Sequence, residues 1–343
     1  MKKLQNTLYV TTQGAYLAKE GESVIVRVEQ ETRLRVPIHS IGGIVCFGQV
    51  SCSPFLMGYC GEKNVAISFL TENGRFLARV EGPTTGNVLL RRAQYERTGD
   101  PAVAAETARA IVIGKIANSR KVLQRTLRDH DGKQSDDRVS VGINRLRQYL
   151  NRLNNGADLD TLRGIEGESS KSYFNCFDSL ITNGKDDFVF SGRNRRPPTD
   201  NVNCLLSFIY TLLVHDCRSA IEAVGLDPQA GFLHRDRPGR PSLALDMMEE
   251  LRAPLADRLV LSLINRQQVQ GKGFTRDEAG AVLMKDDTRK TVLVAYQKRK
   301  QDEIEHPYVG EKVRIGLLFH LQAMLLARHL RGDLDGYPPF VWK

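Results

Sequence analysis

Three short stretches of this 343-residue chain carry side chains able to hold a divalent metal: Gly164-Ile165-Glu166-Gly167, Gly231-Phe232-Leu233-His234 and Leu245-Asp246-Met247-Met248-Glu249-Glu250. One histidine and two carboxylates with open positions suit Mg²⁺ or Mn²⁺, and the nitrogen ligand tilts the choice toward Mn²⁺. Such a centre polarises a phosphate and lowers the pKa of an attacking hydroxyl.

Each stretch also has a plainer reading. Glu166 falls mid-helix between two glycines, each of which costs a helix about 1 kcal/mol relative to alanine. Small residues there allow a neighbouring helix or a nucleic-acid backbone to come close; the alternative is a surface glutamate on a weakened helix. His234 opens His234-Arg235-Asp236-Arg237-Pro238-Gly239-Arg240-Pro241, where four of eight residues are charged and three of those are arginine. A neutral imidazole ligates borderline metals while Arg235, Arg237 and Arg240 can take phosphates in bidentate fashion; the alternative is a solvated basic loop. Asp246 and Glu249, three apart on a helix, share a face while Leu243, Leu245, Met248 and Leu251 turn to the core. One can bind metal while the other orients a ligand, or both can simply complement the helix dipole.

Charge is compatible with the same chemistry and equally with a merely basic, soluble protein. Forty-nine Lys and Arg against 40 Asp and Glu give a net charge of +9 and a pI near 9.3, a balance that favours polyanions. Arg193-Asn194-Arg195-Arg196 leads into a helix beginning near Asp200, and Lys298-Arg299-Lys300 lies near the last helices; both can bind DNA phosphates or be solvated charge runs. No P-loop, dinucleotide-binding glycine turn or Gly-x-Ser-x-Gly elbow is present, so ATP-driven and hydride-transfer chemistry are unsupported. No stretch approaches the roughly 20 apolar residues that span a bilayer, and the first residues lack a secretion-signal core, so no membrane association and a cytoplasmic location are expected. The six cysteines show no zinc spacing and read as thiols.

The elements that must position these groups fall into two blocks, giving an α+β class. Residues 1–80 read as a β-rich domain of short β-branched runs, with a hairpin from Val65 to Val80 turning at Asn73-Gly74 and one short helix at Ser53 to Cys60. Residues 81–87 break the pattern and read as a linker. Residues 88–343 read as a larger all-helical domain, with helices expected from Pro101 to about Arg128, Val141 to Leu153, Leu159 to Leu180, Asn201 to Val224, Ser242 to about Arg252 and Glu311 to Leu330. A polar loop is expected at Asp129 to Asp137. Trp342, the only tryptophan, is expected to pack on the domain or a partner.

In the order of these blocks and motifs, and in Asp200-Asn201-Val202-Asn203 running into a helix that carries Tyr210, the whole chain resembles the CRISPR adaptation integrases. That resemblance implies Glu166, His234 and Glu249 as metal ligands, Asp246 as a neighbouring carboxylate needed for activity, and Asn203 and Tyr210 as supporting or DNA-contacting residues. It further implies a homodimer assembled through the β-rich domains and a small ferredoxin-like adaptation partner completing a heterohexamer. Double-stranded DNA, both spacer precursor and repeat, would be joined by attack of 3′-hydroxyls. A stand-alone nuclease on branched DNA, or a non-catalytic DNA-binding scaffold, are the competing readings.

Overall fold

In the computed structural model, which describes residues 6–80, 82, 88–129, 137–153, 156–195 and 197–342, the β-branched runs at the start of the chain build two four-stranded sheets. The strands are β1 (Asn6–Val10), β2 (Tyr16–Glu20), β3 (Ser23–Val28), β4 (Glu31–Pro37), β5 (Ile41–Phe47), β6 (Ser51–Cys52), β7 (Ala66–Leu70) and β8 (Phe76–Val80), with helix α1 (Pro54–Glu62) between β6 and β7. One sheet runs β1-β5-β7-β8 and the other β4-β3-β2-β6. β5 has a parallel partner on each side, and its residues Ile44 to Phe47 are buried, as a continuous apolar strand requires. β4 is an exposed edge strand with alternating charges, a composition that discourages further pairing. The expected hairpin joins β7 to β8 with Gly74 at φ +85°, and the expected short helix is α1, capped by the Ser53 hydroxyl accepting from Leu56 N–H at 3.2 Å.

The second block contains α2 (Val88–Gly99), α3 (Pro101–Asp129), α4 (Asp137–Arg152), α5 (Leu159–Phe174), α6 (Asn201–Ala223), α7 (Ser242–Leu251) and α8 (Arg258–Asn265). These are followed by strands β9 (Phe274–Arg276) and β10 (Val282–Met284), helix α9 (Asp286–Gln301), strands β11 (Glu303–Glu305) and β12 (Lys312–Arg314), and helix α10 (Ile315–Arg331). The block is mostly rather than wholly helical, because β9 with β10 and β11 with β12 form small antiparallel pairs. β12 occupies residues expected in the last helix, which therefore starts at Ile315; it ends at Arg331, one residue past the expected Leu330, with Gly332 at φ +85° as its cap. α5 stops at Phe174, and a separate 3₁₀ turn covers Phe177–Leu180.

Helix α3 is the spine of this block: α2, α4, α5 and α7 all pack on it. α7 ends at Leu251, as expected, and the chain continues through a π-helical turn, Arg252–Asp257, into α8. Pro254 lies inside this wider turn, which tolerates the backbone N–H that proline lacks. α6 is long and apolar enough to cross a membrane, with 61% of that window buried, and it packs on α7 and α10 as a core helix.

Contacts divide the chain into two compact units, Met1–Gly86 with Arg289–Gln301, and Asn87–Thr288 with Asp302–Lys343. The segment 289–301, expected within the second domain, thus joins the first. The Gln297 amide donates to Thr7 O at 2.7 Å and Arg289 to Glu72 O at 2.8 Å, supplying donors to backbone carbonyls, one of them on edge strand β1. The linker at 81–87, apart from Gly82, and residues 130–136 of the expected loop lie outside the described residues.

Candidate active site

Helix α5 begins at Asp158, whose carboxylate caps Thr161 N–H at 2.8 Å, and carries Glu166 two turns along. Glu166 is partly exposed and accepts a hydrogen bond from Ser170, one turn on, at 3.0 Å. A Cβ placed on Gly164 or Gly167 would meet open space, so no neighbouring helix accounts for these glycines.

His234 is set by Asp246 on α7. That carboxylate is fully buried and accepts the backbone N–H groups of Phe232, Leu233 and His234 at 2.6, 3.0 and 3.0 Å. It also contacts His234 Nδ1 at 2.6 Å. A carboxylate can only accept here, so Nδ1 is the donor, which leaves Nε2 as the nitrogen turned toward Glu249. Gly231 is obligatory in this arrangement, since a Cβ there would lie 2.8 Å from Asp246 Oδ2 and from Ser242. Arg163 adds a bond to Leu233 O at 2.7 Å.

Glu249, one turn beyond Asp246, is buried. Its Oε1 lies 2.8 Å from Arg252 and 4.0 Å from His234 Nε2, and its Oε2 lies 2.7 Å from Lys115 Nζ. Burial alone would raise its pKa, but Arg252, Lys115 and His234 more than offset this and hold it at about 2. Lys115, from the middle of α3, also pairs with Glu166, so the two carboxylates converge on one ammonium. Lys115 and Arg252 escaped the sequence reading. A lysine in the buried stripe of α3, near Ile111, Val112 and Ile116, was the available signal for the first, and the three-residue step from Glu249 for the second.

The remaining candidates are not among the groups that meet at Lys115. Arg193 is drawn inward: it donates to Asn203 Oδ1 at 2.5 Å and to Ser207 at 3.1 Å, and its guanidinium lies 5.2 Å from the Tyr210 ring centroid. It is therefore a strut of the loop before α6 rather than an exposed DNA contact or a solvated charge, the two readings its run allowed. Asn203, fully buried, ties that loop to Gly192 and Asp200. Tyr210 donates to buried Asp257 at 2.5 Å and lies under Arg252, 4.8 Å from its ring centroid, so it supports Glu249 through Arg252. Arg235 is exposed and pairs with Asp160 at 2.9 Å; Arg195 and Arg237 are exposed and Arg240 partly so. Arg196 lies outside the described residues.

Among the described residues no three metal-binding side chains are closed into a ligand cluster. The donor set nonetheless fits Mg²⁺ or Mn²⁺: two carboxylates already share one cation, and His234 Nε2 stands 4.0 Å from one of them.

The chain has counterparts among known proteins. The family model described as CRISPR associated protein Cas1 matches residues 8–298. A CRISPR-associated endonuclease Cas1 of Chlorobaculum tepidum is 59% identical over 343 residues, covering all of both chains. Among solved structures, a casposase bound to integration product superposes with a TM-score of 0.85 at 22% identity, covering 99% of this chain and 95% of that one. A Cas6-RT-Cas1–Cas2 complex gives 0.83 at 20% identity, covering all of this chain and 36% of that one.

Proposed function

This chain belongs to the CRISPR-associated Cas1 family, and from that premise we propose that it is a divalent-metal-dependent DNA endonuclease and integrase that inserts foreign spacers into a CRISPR repeat array. The observation that carries this reading is the convergence of Glu166 and Glu249 on one cation position, with His234 Nε2 4.0 Å from Glu249.

Glu166, His234 and Glu249 would hold Mg²⁺ or Mn²⁺, which when bound polarises the scissile phosphate and lowers the pKa of the attacking 3′-hydroxyl. Asp246 fixes the imidazole tautomer and ring direction, and Arg252 keeps Glu249 aimed and ionised. The open space beside Gly164 and Gly167 admits a nucleic-acid backbone to the Glu166 turn. The 3′ oxygen of the spacer bonds to a repeat phosphorus as that phosphorus releases its own 3′ oxygen. The attacking hydroxyl loses a proton and the leaving oxygen gains one. The number of phosphodiester bonds is unchanged, so no nucleotide cofactor is required.

The assembly reading is a cytoplasmic homodimer formed through the β-rich unit, with a small ferredoxin-like partner completing a heterohexamer on double-stranded DNA. The exposed Phe55, Leu77 and Leu34 of that unit support a protein contact there, and the likeness to a complex containing Cas2 supports the partner.

The test is strand transfer of a short duplex with 3′-hydroxyl ends into a repeat-bearing plasmid, with Mn²⁺ or Mg²⁺ and the partner. Wild type should give covalent insertion, and Glu166→Gln and His234→Ala should reduce it by at least a hundredfold. Insertion at wild-type level by either variant would remove the site assignment. Hydrolysis without any joined product would favour the stand-alone nuclease.

A further inference from the structure

The two cations of the hub are held in different ways. Lys115 is buried, and its ammonium bridges the two carboxylates assigned as ligands, in contact with Glu166 Oε1 and 2.7 Å from Glu249 Oε2. These carboxylates are its only partners among the described residues, so no third group braces it. Arg252 binds the other oxygen of Glu249, Oε1, at 2.8 Å, and its guanidinium lies 4.8 Å from the Tyr210 ring centroid. A planar fork stacked on a ring is a fixed cation, whereas an ammonium on a flexible four-carbon stem can leave.

Glu166 and Glu249 bring two negative charges to the hub, and Lys115 with Arg252 already matches them. A divalent cation taking the same oxygens would compete for the lone pairs that the ammonium uses and would meet its positive charge at close range. With neither cation present, the two carboxylates would repel one another and the ligand set would open. We propose that Lys115 is a tethered stand-in for the divalent cation: it keeps Glu166 and Glu249 in register in the metal-free protein and gives both up when Mg²⁺ or Mn²⁺ binds. It is a positioning residue, and it keeps the ligands preformed at the expense of metal affinity. The displaced ammonium has water within reach, because the side chain of Glu166 is 26% exposed. A permanent structural salt bridge is the alternative, and it makes opposite predictions. This inference rests on the metal-dependent reading above.

The probe is Mn²⁺ alone, with no DNA present. Free Mn²⁺ is followed by electron paramagnetic resonance as full-length wild type, Lys115→Met and Lys115→Arg are added, and His234→Ala is introduced into the first two. Lys115→Met should bind Mn²⁺ roughly tenfold more tightly than wild type, Lys115→Arg, which keeps the charge, no more tightly, and His234→Ala should weaken binding in both backgrounds. Thermal unfolding gives a second readout. In chelator Lys115→Met should unfold below wild type, and saturating Mn²⁺ should raise its midpoint by more than it raises that of wild type. If the methionine variant does not fold in chelator, Lys115→Gln, which keeps a donor, is measured with the same signs expected. Equal Mn²⁺ affinity in wild type and the neutral variant, or equal tightening by Lys115→Arg, overturns the stand-in role and leaves the metal site standing. A midpoint that stays depressed in saturating Mn²⁺ makes Lys115 a permanent strut and overturns it too. Mn²⁺ binding that ignores His234→Ala in both backgrounds removes the metal reading itself, and this inference with it.

Discussion

Lys115 and the row formed by Lys121, Arg125 and Arg128 stand on one helix, yet their charges are treated in opposite ways. Lys115 is buried between Glu166 and Glu249, and Arg252 is buried against Glu249 and the Tyr210 ring. Lys121, Arg125 and Arg128 instead line a cavity with Arg258 and Trp342, where four cations gather with no carboxylate among the described lining residues. The hub balances its charge internally and so holds ligand groups in fixed positions. Positive charge thus has two uses here, and burial beside acids tells them apart.

The harshest way to break that contrast is to remove the hub's central acid. Glu249→Ala leaves Lys115 and Arg252 buried with part of their compensation gone, which for a broken buried pair costs about 3–5 kcal/mol. Urea denaturation should show that loss, and adding Lys115→Met to the variant should recover part of it because one of the stranded charges disappears. If Glu249→Ala were as stable as wild type, the hub would not be an internally balanced charge cluster.

A second, smaller effect separates two buried acids within the hub's own helical run. Glu249, flanked by Arg252, Lys115 and His234, is held at about 2. Asp257, where burial outweighs the Tyr210 hydrogen bond and Arg252, is raised to about 6 from 3.8. Between pH 3.8 and 6 the folded protein therefore binds a proton at Asp257 that the unfolded chain has released, so this group's contribution is fully present below pH 3.8 and is lost as pH rises through 6. A shift of ~2 units corresponds to about 3 kcal/mol. Asp257→Asn should flatten the fall in urea-measured stability between pH 4 and pH 7 by about that amount. An unchanged fall would mean that Asp257 is ionised in the fold.

What the sequence made legible follows the range of the interactions involved. The hairpin at Asn73-Gly74, the cap of α1 and the stop at Gly332 depend on neighbours in the chain, and they stand where local chemistry puts them. Asp246 and Glu249 were readable as one face for the same reason. Their division of labour was not, because it depends on three backbone N–H groups from residues 232–234 and on cations from α3 and the π turn. Arg193 shows the opposite failure. An arginine-rich run looks like a DNA contact, yet this side chain is drawn inward by Asn203 and the Tyr210 ring, partners ten and seventeen residues away. The assignment of 289–301 to the first unit was equally hidden, since amphipathic spacing says that a helix will be covered and not by what.

The finest test of the contrast is a slope. Each phosphate neutralised on a single strand releases counter-ions, so log K falls with log salt by about 0.7 per contact. Arg125→Gln/Arg128→Gln, removing two cations from the cavity, should therefore make the salt dependence of oligonucleotide binding shallower by about 1.4. Lys115→Gln removes a cation whose field is already spent on Glu166 and Glu249, so it should leave that slope unchanged even where it shifts the affinity. Fluorescence anisotropy of a labelled oligothymidylate across a salt series measures both. Equal changes in slope would show that the cation between the carboxylates also faces the phosphates, and would merge the two regions into one binding surface.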